Sequence, residues 1–411
     1  MEFIRKNTWK LLIVLAFFLP VLPKQAPIVL GLTVILSLIY SISQRKLNTE
    51  NLKEIPNKLS LLFFAICLIS LLYSSNLEHG IKELEIKLSF LIFPLLSLIL
   101  PISKNFKPLL ILKSFALSCL VLLIVSLGFS FSHQLLIYIK HEELYWGYYF
   151  GDYLVHTLHK GYFGIYMLLA SLIFLYSGGI TKNKTWRKLY FLCSAITLIG
   201  VYLSTAKGAL LASAFSYLLV GFFIFSRYYN LKKLLLFTST TLIITIAGIT
   251  FLNNETTNRI RSSIGTITSF NKINPEDHGS TNLRLMAWSG SIETIKKRPI
   301  IGFGIGDANE ELNYNYKELN YNYPAKINLD SHNQFFATAI QTGIIGSFIL
   351  LSYFILSIVW FSKKKDLLGC LIVTTFIIFS LIESSFETQA GIMVFHFLMI
   401  SRILSSQKTL E

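Results

Sequence analysis

The 411-residue chain is short of charge: 14% of its residues are Asp, Glu, Lys or Arg, where a soluble domain carries about 25%. Cysteine is scarce as well. The four present, Cys67, Cys119, Cys193 and Cys370, each lie inside an apolar run, with no near neighbour to pair with and no metal-ligand spacing, which leaves packing in a lipid phase. The first twenty residues have the basic head and apolar body of a secretory signal but no small-residue cleavage site after them, so an uncleaved first span is expected. What the chain has instead is 53% hydrophobic residues and a mean hydropathy of +0.58, laid out in long runs from one end to the other. Disordered, fibrous and nucleic-acid-binding chains are thereby excluded, and a single polytopic membrane domain is predicted.

Twelve runs have the roughly 17 to 25 mostly apolar residues that cross the hydrocarbon, although several are short. They cover approximately 9–23, 27–43, 59–73, 87–102, 109–131, 161–177, 189–204, 209–226, 234–252, 336–361, 367–382 and 391–405. With the N-terminus inside, the cytoplasmic segments collect 21 Lys and Arg residues and the short external ones about 6 (Lys24, Lys82, Lys87, Lys140, Lys160 and Lys207). Every loop parity then obeys the positive-inside rule, which predicts twelve spans with both termini cytoplasmic. Much of the formal charge of +15 is accounted for by topology and needs no anionic partner. The expected organisation is spans 1–9 over 1–252, an external loop over 253–335 and spans 10–12 over 336–411. Loops as long as 132–160 and 253–335 are uncommon without a function, so chemistry is sought on the outer face.

In the long loop, Gly279-Ser280-Thr281-Asn282 supplies helix-capping residues, and Leu283 to Lys297 reads as an amphipathic helix stopped by Pro299. Arg284 and Trp288, four apart, share one face of it. They admit two readings: a surface arginine beside a packing tryptophan, or an anion-binding arginine beside a glycan-facing platform. The stretch Pro299-Ile-Ile-Gly302-Phe-Gly304-Ile-Gly306 lacks the βαβ context of a dinucleotide fingerprint and is expected to be a tight turn. Glu311-Leu-Asn-Tyr-Asn-Tyr316 recurs as Glu318 to Tyr323, a tandem duplication whose Tyr and Asn suit sugars but which also reads as drifted low-complexity sequence.

The sharpest feature is Asp330-Ser331-His332-Asn333, then nine residues, then Gly343-Ile-Ile-Gly346. With Asp330 or Ser331 as cap, His332 is expected in the first turn of a helix that continues into the tenth span. Gly343 would then lie about 20° round and ~16 Å deeper on the same face, close to Gly346, where small residues admit another helix or a lipid tail. Lys207, in the external turn Ser204–Gly208, breaks the charge pattern and is either a snorkelling lysine or a functional cation. His133, His141, His156 and His159 invite a zinc site that no acidic or thiol pattern supports. Glu383 and Glu387, in the last external turn, read as a solvated pair.

The twelve-span layout with its large loop between spans 9 and 10, together with His332-Asn333-x9-Gly343-x-x-Gly346, Arg284...Trp288 and Pro299...Gly302-x-Gly304, resembles the O-antigen ligase and polymerase superfamily of bacterial envelopes. The motif similarity is densest from Ser280 to Gly346. The resemblance implies an all-α, GT-C-like membrane enzyme of the inner membrane. It would transfer, on the periplasmic face, a glycan carried on undecaprenyl diphosphate to lipid A core (a ligase) or to another lipid-linked repeat (a polymerase). It also implies His332 as the group that activates the acceptor hydroxyl, Arg284 as a diphosphate contact, and Lys207 where relatives usually have arginine, with Trp288 and Asn333 beside them. Lysine is a point charge where arginine offers a planar fork, so diphosphate binding is looser here or another cation completes the site. Inversion at the anomeric carbon is expected, with neither metal nor cofactor. Against this stand a transporter, which the near absence of Asp and Glu from the spans disfavours, and a structural assembly protein.

Overall fold

A computed structural model describes residues 1–102, 105–141, 146–155, 158–228 and 273–408. The protein is an all-α polytopic membrane protein. The helices are α1 (Glu2–Val21), α2 (Ala26–Gln44), α3 (Thr49–Lys53), α4 (Ile55–Leu71), α5 (Leu77–Lys87), α6 (Ser89–Ile99), α7 (Pro108–His141), α8 (Gly151–Leu154), α9 (Lys160–Ile180), α10 (Lys184–Leu203), α11 (Lys207–Tyr228), α12 (Ser280–Lys297), α13 (Ala308–Glu318), α14 (Asn322–Lys326), α15 (Gln334–Lys363), α16 (Leu367–Ser380) and α17 (Gln389–Lys408). By length and composition α2, α7, α9, α10, α15 and α17 can each cross a membrane; α4, α6, α11 and α16 are shorter apolar helices. Eleven of the twelve expected spans fall on α1, α2, α4, α6, α7, α9, α10, α11, α15, α16 and α17. The ninth, 234–252, lies outside the described residues, as do Lys104, His156, Lys232 and Lys233.

Burial sorts the helices. α9 is buried along almost its whole length and packs against α7, α10, α11 and α16. α17 is similarly enclosed, while α2 and α10 turn Ile28, Ile35, Leu192 and Ile199 outward, as helices facing lipid do. Asn183 accepts from the Thr185 and Trp186 amides to start α10, and Asp366 accepts from Gly369 to start α16, satisfying amides that have no partner within their own helix.

The two ends of the bundle differ. At one end, which carries Arg45, Lys46, Lys53, Lys58 and Lys363 to Lys365, Asp366 holds Arg402 in a buried bidentate pair (2.8 and 2.7 Å) and Trp360 donates to Glu54 (2.6 Å). The other end is covered by α12, α13 and α14, the described helices of the long loop. They have a small core of their own in Met286, Phe303, Leu312, Tyr316, Tyr321 and Ile340. Here the duplicated Tyr/Asn motif finds its main use: Tyr316 and Tyr321 are core residues, whereas Tyr314 is exposed. This cap is fastened to the turn between α4 and α5. Asp307 accepts from the amides of Ser75 (2.7 Å) and Asn76 (2.8 Å), and Tyr73 donates to the Ile301 carbonyl (2.6 Å).

Candidate functional site

The site forms where the cap meets the turn between α16 and α17. α16 has 14 residues, ~21 Å of helix against a hydrocarbon thickness of ~30 Å, so this turn, 381–388, is drawn down into the bundle. That corrects the expectation of a solvated acidic pair. The side chain of Glu383 is 12% exposed and that of Glu387 16%, and both are ion-paired.

Glu383 bridges the two residues that the sequence singles out most strongly. Its Oε1 accepts from Arg284 Nη2 at 2.5 Å, and its Oε2 lies 3.2 Å from His332 Nδ1. Arg284 extends from the first turns of α12, where Nη1 donates to the Ser280 carbonyl (3.2 Å) and Nε to that of Ile382 (3.4 Å). Lys207, at the start of α11, donates to the hydroxyls of Ser280 (3.2 Å) and Thr281 (2.7 Å). Both cations therefore converge on the N-terminus of α12, whose cap residue Gly279 offers no side-chain bond. The helix dipole and two cations together favour an anion there.

Burial works against charge on His332, but the Glu383 hydrogen bond, with Asp330 and the Glu383 charge, outweighs it and the opposing Arg284 and raises its pKa. Burial likewise works against the Glu383 carboxylate, yet His332 and Arg284 hold its pKa down to about 2. Glu383 is thus ionised across the working pH range and fixes the imidazole through Nδ1. The other ring nitrogen, Nε2, is 3.5 Å from Asp330 Oδ1, beyond a good hydrogen bond, and Asp330 is half exposed.

His332 is not in a helix. The cap of α15 is Asn333, whose side chain accepts from the amides of Phe335 (2.9 Å) and Phe336 (3.2 Å) and donates to the Leu381 carbonyl (3.1 Å). The expected caps, Asp330 and Ser331, lie outside, and His332 sits in the bend before Asn333 with φ +44°, a conformation uncommon for a residue with a Cβ. Thr205, two residues before Lys207, has φ +51°. Backbone strain of this sort persists only where its surroundings impose it, and here it aims both functional segments at the same place. Trp288, half-buried, donates to the His332 carbonyl (3.3 Å), so the indole steadies the bend. The amide of Asn333 is likewise committed to backbone partners.

The helical-face relation expected between His332 and Gly343 also fails, because α15 breaks at Gly343 (φ +70°, ψ −171°). What approaches Gly343 is neither a helix nor a lipid tail but the glycine turn: Ile344 N donates to Pro299 O (2.9 Å), Phe303 N to Ile340 O (2.8 Å) and Gly304 N to Gln341 O (2.9 Å). A Cβ at 343 would collide with the Ile300 carbonyl, and one at Gly346 with the Oγ1 and Cβ of Thr342. Gly343→Ala is therefore expected to destabilise by about 2–4 kcal/mol through strain and overpacking. Its thermal unfolding midpoint in detergent checks this, and a wild-type midpoint would refute the docking role given to Gly343.

Of the histidines considered for zinc, His159 caps α9 by accepting from Gly161 (3.3 Å), and His133 packs edge-on against Tyr148. Among the described residues no group of three or more potential metal ligands converges. The sequence reading named Glu383 only as one of a solvated pair and counted Lys87 only among the external basic residues. The available signal was the rarity of acids beside nearly acid-free spans.

Residues 192–351 match the family model described as O-antigen ligase. The similarity to that family spans 160 of the chain's 411 residues. The matched segment contains Lys207, Arg284, Trp288, His332, Gly343 and Gly346, whereas Glu383, Glu387 and Lys87 lie outside it. A comparison with curated proteins gives no match. That similarity supports a membrane enzyme of the O-antigen ligase type.

Proposed function

We propose that the protein transfers a glycan from undecaprenyl diphosphate to a hydroxyl of lipid A core, or of a similar envelope acceptor, at the periplasmic face of the bacterial inner membrane, with both termini cytoplasmic. The observation that carries this reading is the Arg284–Glu383–His332 bridge beside Lys207 and the N-terminus of α12. A hydroxyl is a weak nucleophile until a base takes its proton. With Nδ1–H held by Glu383, the Nε2 lone pair of His332 takes that proton as the oxygen attacks the anomeric carbon, the acceptor displacing the loose Asp330 contact. The anomeric bond to the diphosphate breaks on the opposite face, so the configuration inverts. Charge developing on the leaving diphosphate is met by Lys207, by the α12 amides and by the guanidinium edge of Arg284, an arrangement that favours the transition state over the ground state. Trp288 and Asn333 act indirectly, by fixing the His332 bend and the start of α15.

The test uses purified full-length protein in proteoliposomes with an undecaprenyl-diphosphate-linked glycan, with and without lipid A core. Glycan appearing on core is the expected product. Longer chains on undecaprenyl diphosphate, independent of core, would make the enzyme a polymerase, and movement of the glycan across the bilayer with no new glycosidic bond would make it a transporter.

A further inference from the structure

Beside the Glu383 turn lies a second charged cluster that the proposed reaction does not use. Lys87, the last residue of α5, has a fully buried side chain, and its Nζ is 2.8 Å from Glu387 Oε2 and 3.6 Å from Glu83. Glu387 also accepts from Gln334 Nε2 (2.8 Å) and Gln341 Nε2 (2.9 Å). Gln334, the first residue of α15, in turn accepts from the Phe386 amide through Oε1 (2.6 Å). A buried lysine is costly unless paired and hydrogen-bonded, and here the pairing ties α5, the 381–388 turn and α15 together. Only Ser384, Ser385 and Phe386 separate Glu383 from Glu387, in a tight turn closed by Ser385 N to Glu383 O (2.9 Å) and Glu387 N to Ser384 O (3.2 Å). The fully buried Phe386 ring packs on Phe90, Phe354 and Phe395. Fixing Glu387 and Phe386 therefore leaves Glu383 little freedom.

We propose that Lys87 and Glu387 are a positioning pair: they clamp the 381–388 turn onto α15 so that Glu383 reaches Arg284 and His332 together. This rests on the roles given above to Glu383 and His332. Charge balance agrees with it. Burial and the neighbouring Glu387 carboxylate push the Glu83 carboxyl upward. Burial also works to raise Glu387, but the Lys87 ammonium and the hydrogen bonds from Lys87, Gln334 and Gln341 outweigh it and hold Glu387 low. The Lys87 ammonium is thus held chiefly by Glu387, at 2.8 Å against 3.6 Å for Glu83. Replacing Lys87 with an uncharged residue leaves two buried carboxylic groups side by side and removes the strut from α5.

The experiment is hydrogen exchange on the full chain in nanodiscs, read at the 381–388 peptide and especially at the Phe386 amide, together with steady-state transfer kinetics. In Lys87→Met that exchange is expected to rise about tenfold or more. Over the same change, kcat should fall about ten- to a hundredfold, as misplaced catalytic groups do, with KM for the lipid donor held within about twofold. The acid limb of the pH profile should move to lower pH, because His332 loses the Glu383 contact that raises its pKa and is left with burial and Arg284 against Asp330. Glu387→Gln keeps the side-chain shape and is expected to give the same pattern more weakly, which serves if Lys87→Met does not fold. Wild-type exchange at 381–388 in either folded variant would overturn the clamp, as would a loss of rate with no movement of the pH profile. Loosening of the turn in a protein whose wild-type form transfers no glycan would instead leave the clamp standing and remove the functional reading.

Discussion

His332→Ala is expected to lower kcat/KM for glycan transfer by about a hundred- to ten-thousand-fold, the range for loss of a positioned general base, while leaving the folded protein intact. The fold should survive because Arg284 and Glu383 still pair at 2.5 Å and because α15 is capped by Asn333, not by His332. Deleting the gene in the source bacterium and complementing with wild type or His332→Ala gives the direct reading on a lipopolysaccharide gel. Deletion should remove glycan from lipid A core while polymer accumulates on undecaprenyl diphosphate, and His332→Ala should fail to restore the ladder. A ladder fully restored by His332→Ala would end the assignment of this histidine, and core carrying a single repeat after deletion would identify a polymerase.

The second large effect is expected from Glu383→Gln. Two losses combine: the imidazole loses the carboxylate that orients Nδ1–H, and Arg284 loses its anionic partner. The plateau rate should fall about a hundredfold or more, as when a preorganised electrostatic contact is removed. The direction of the pH shift follows from the causes acting on His332. Burial and Arg284 lower its pKa, whereas Glu383 and Asp330 raise it. Without the Glu383 charge the balance moves downward, so the imidazole stays deprotonated to lower pH and the acid limb of the kcat/KM profile shifts toward acid. A profile that keeps its position, or moves toward alkali, would show that Glu383 does not act through His332. The carboxyl of Glu383, held at about 2, does not itself titrate in the range measured, so this limb reports the histidine.

Several features of the site were legible in order along the chain. Arg284 and Trp288 fall on one helix, as expected, although it starts at Ser280 with no side-chain cap, so that the expected capping residues Ser280 to Asn282 form its first turn. The glycine turn was readable as a turn, but not what it grips, since the kink at Gly343 exists only because the Pro299–Gly304 backbone takes hydrogen bonds from and gives them to α15 there. His332 was recognisable, but its placement was not. Asp330 and Ser331 were the expected caps, but Asn333 caps the helix, held by the Leu381 carbonyl while Trp288 holds the bend before it. Glu383 and Glu387 were misjudged because solvation was inferred from their place in a turn, whereas α16 is too short to lift that turn out of the bundle.

The sequence by itself determined the solvent, the helical class, the run of apolar spans and the residue types available for the chemistry, because hydropathy, charge asymmetry and capping act over a few turns of chain. Only the tertiary structure decided which of those residues meet. Glu383 lies 51 positions from His332, and Glu387 lies 300 from Lys87; no local periodicity links residues so far apart. What brings them together is the obligation of each buried charge, once withdrawn from water, to find a partner of opposite sign.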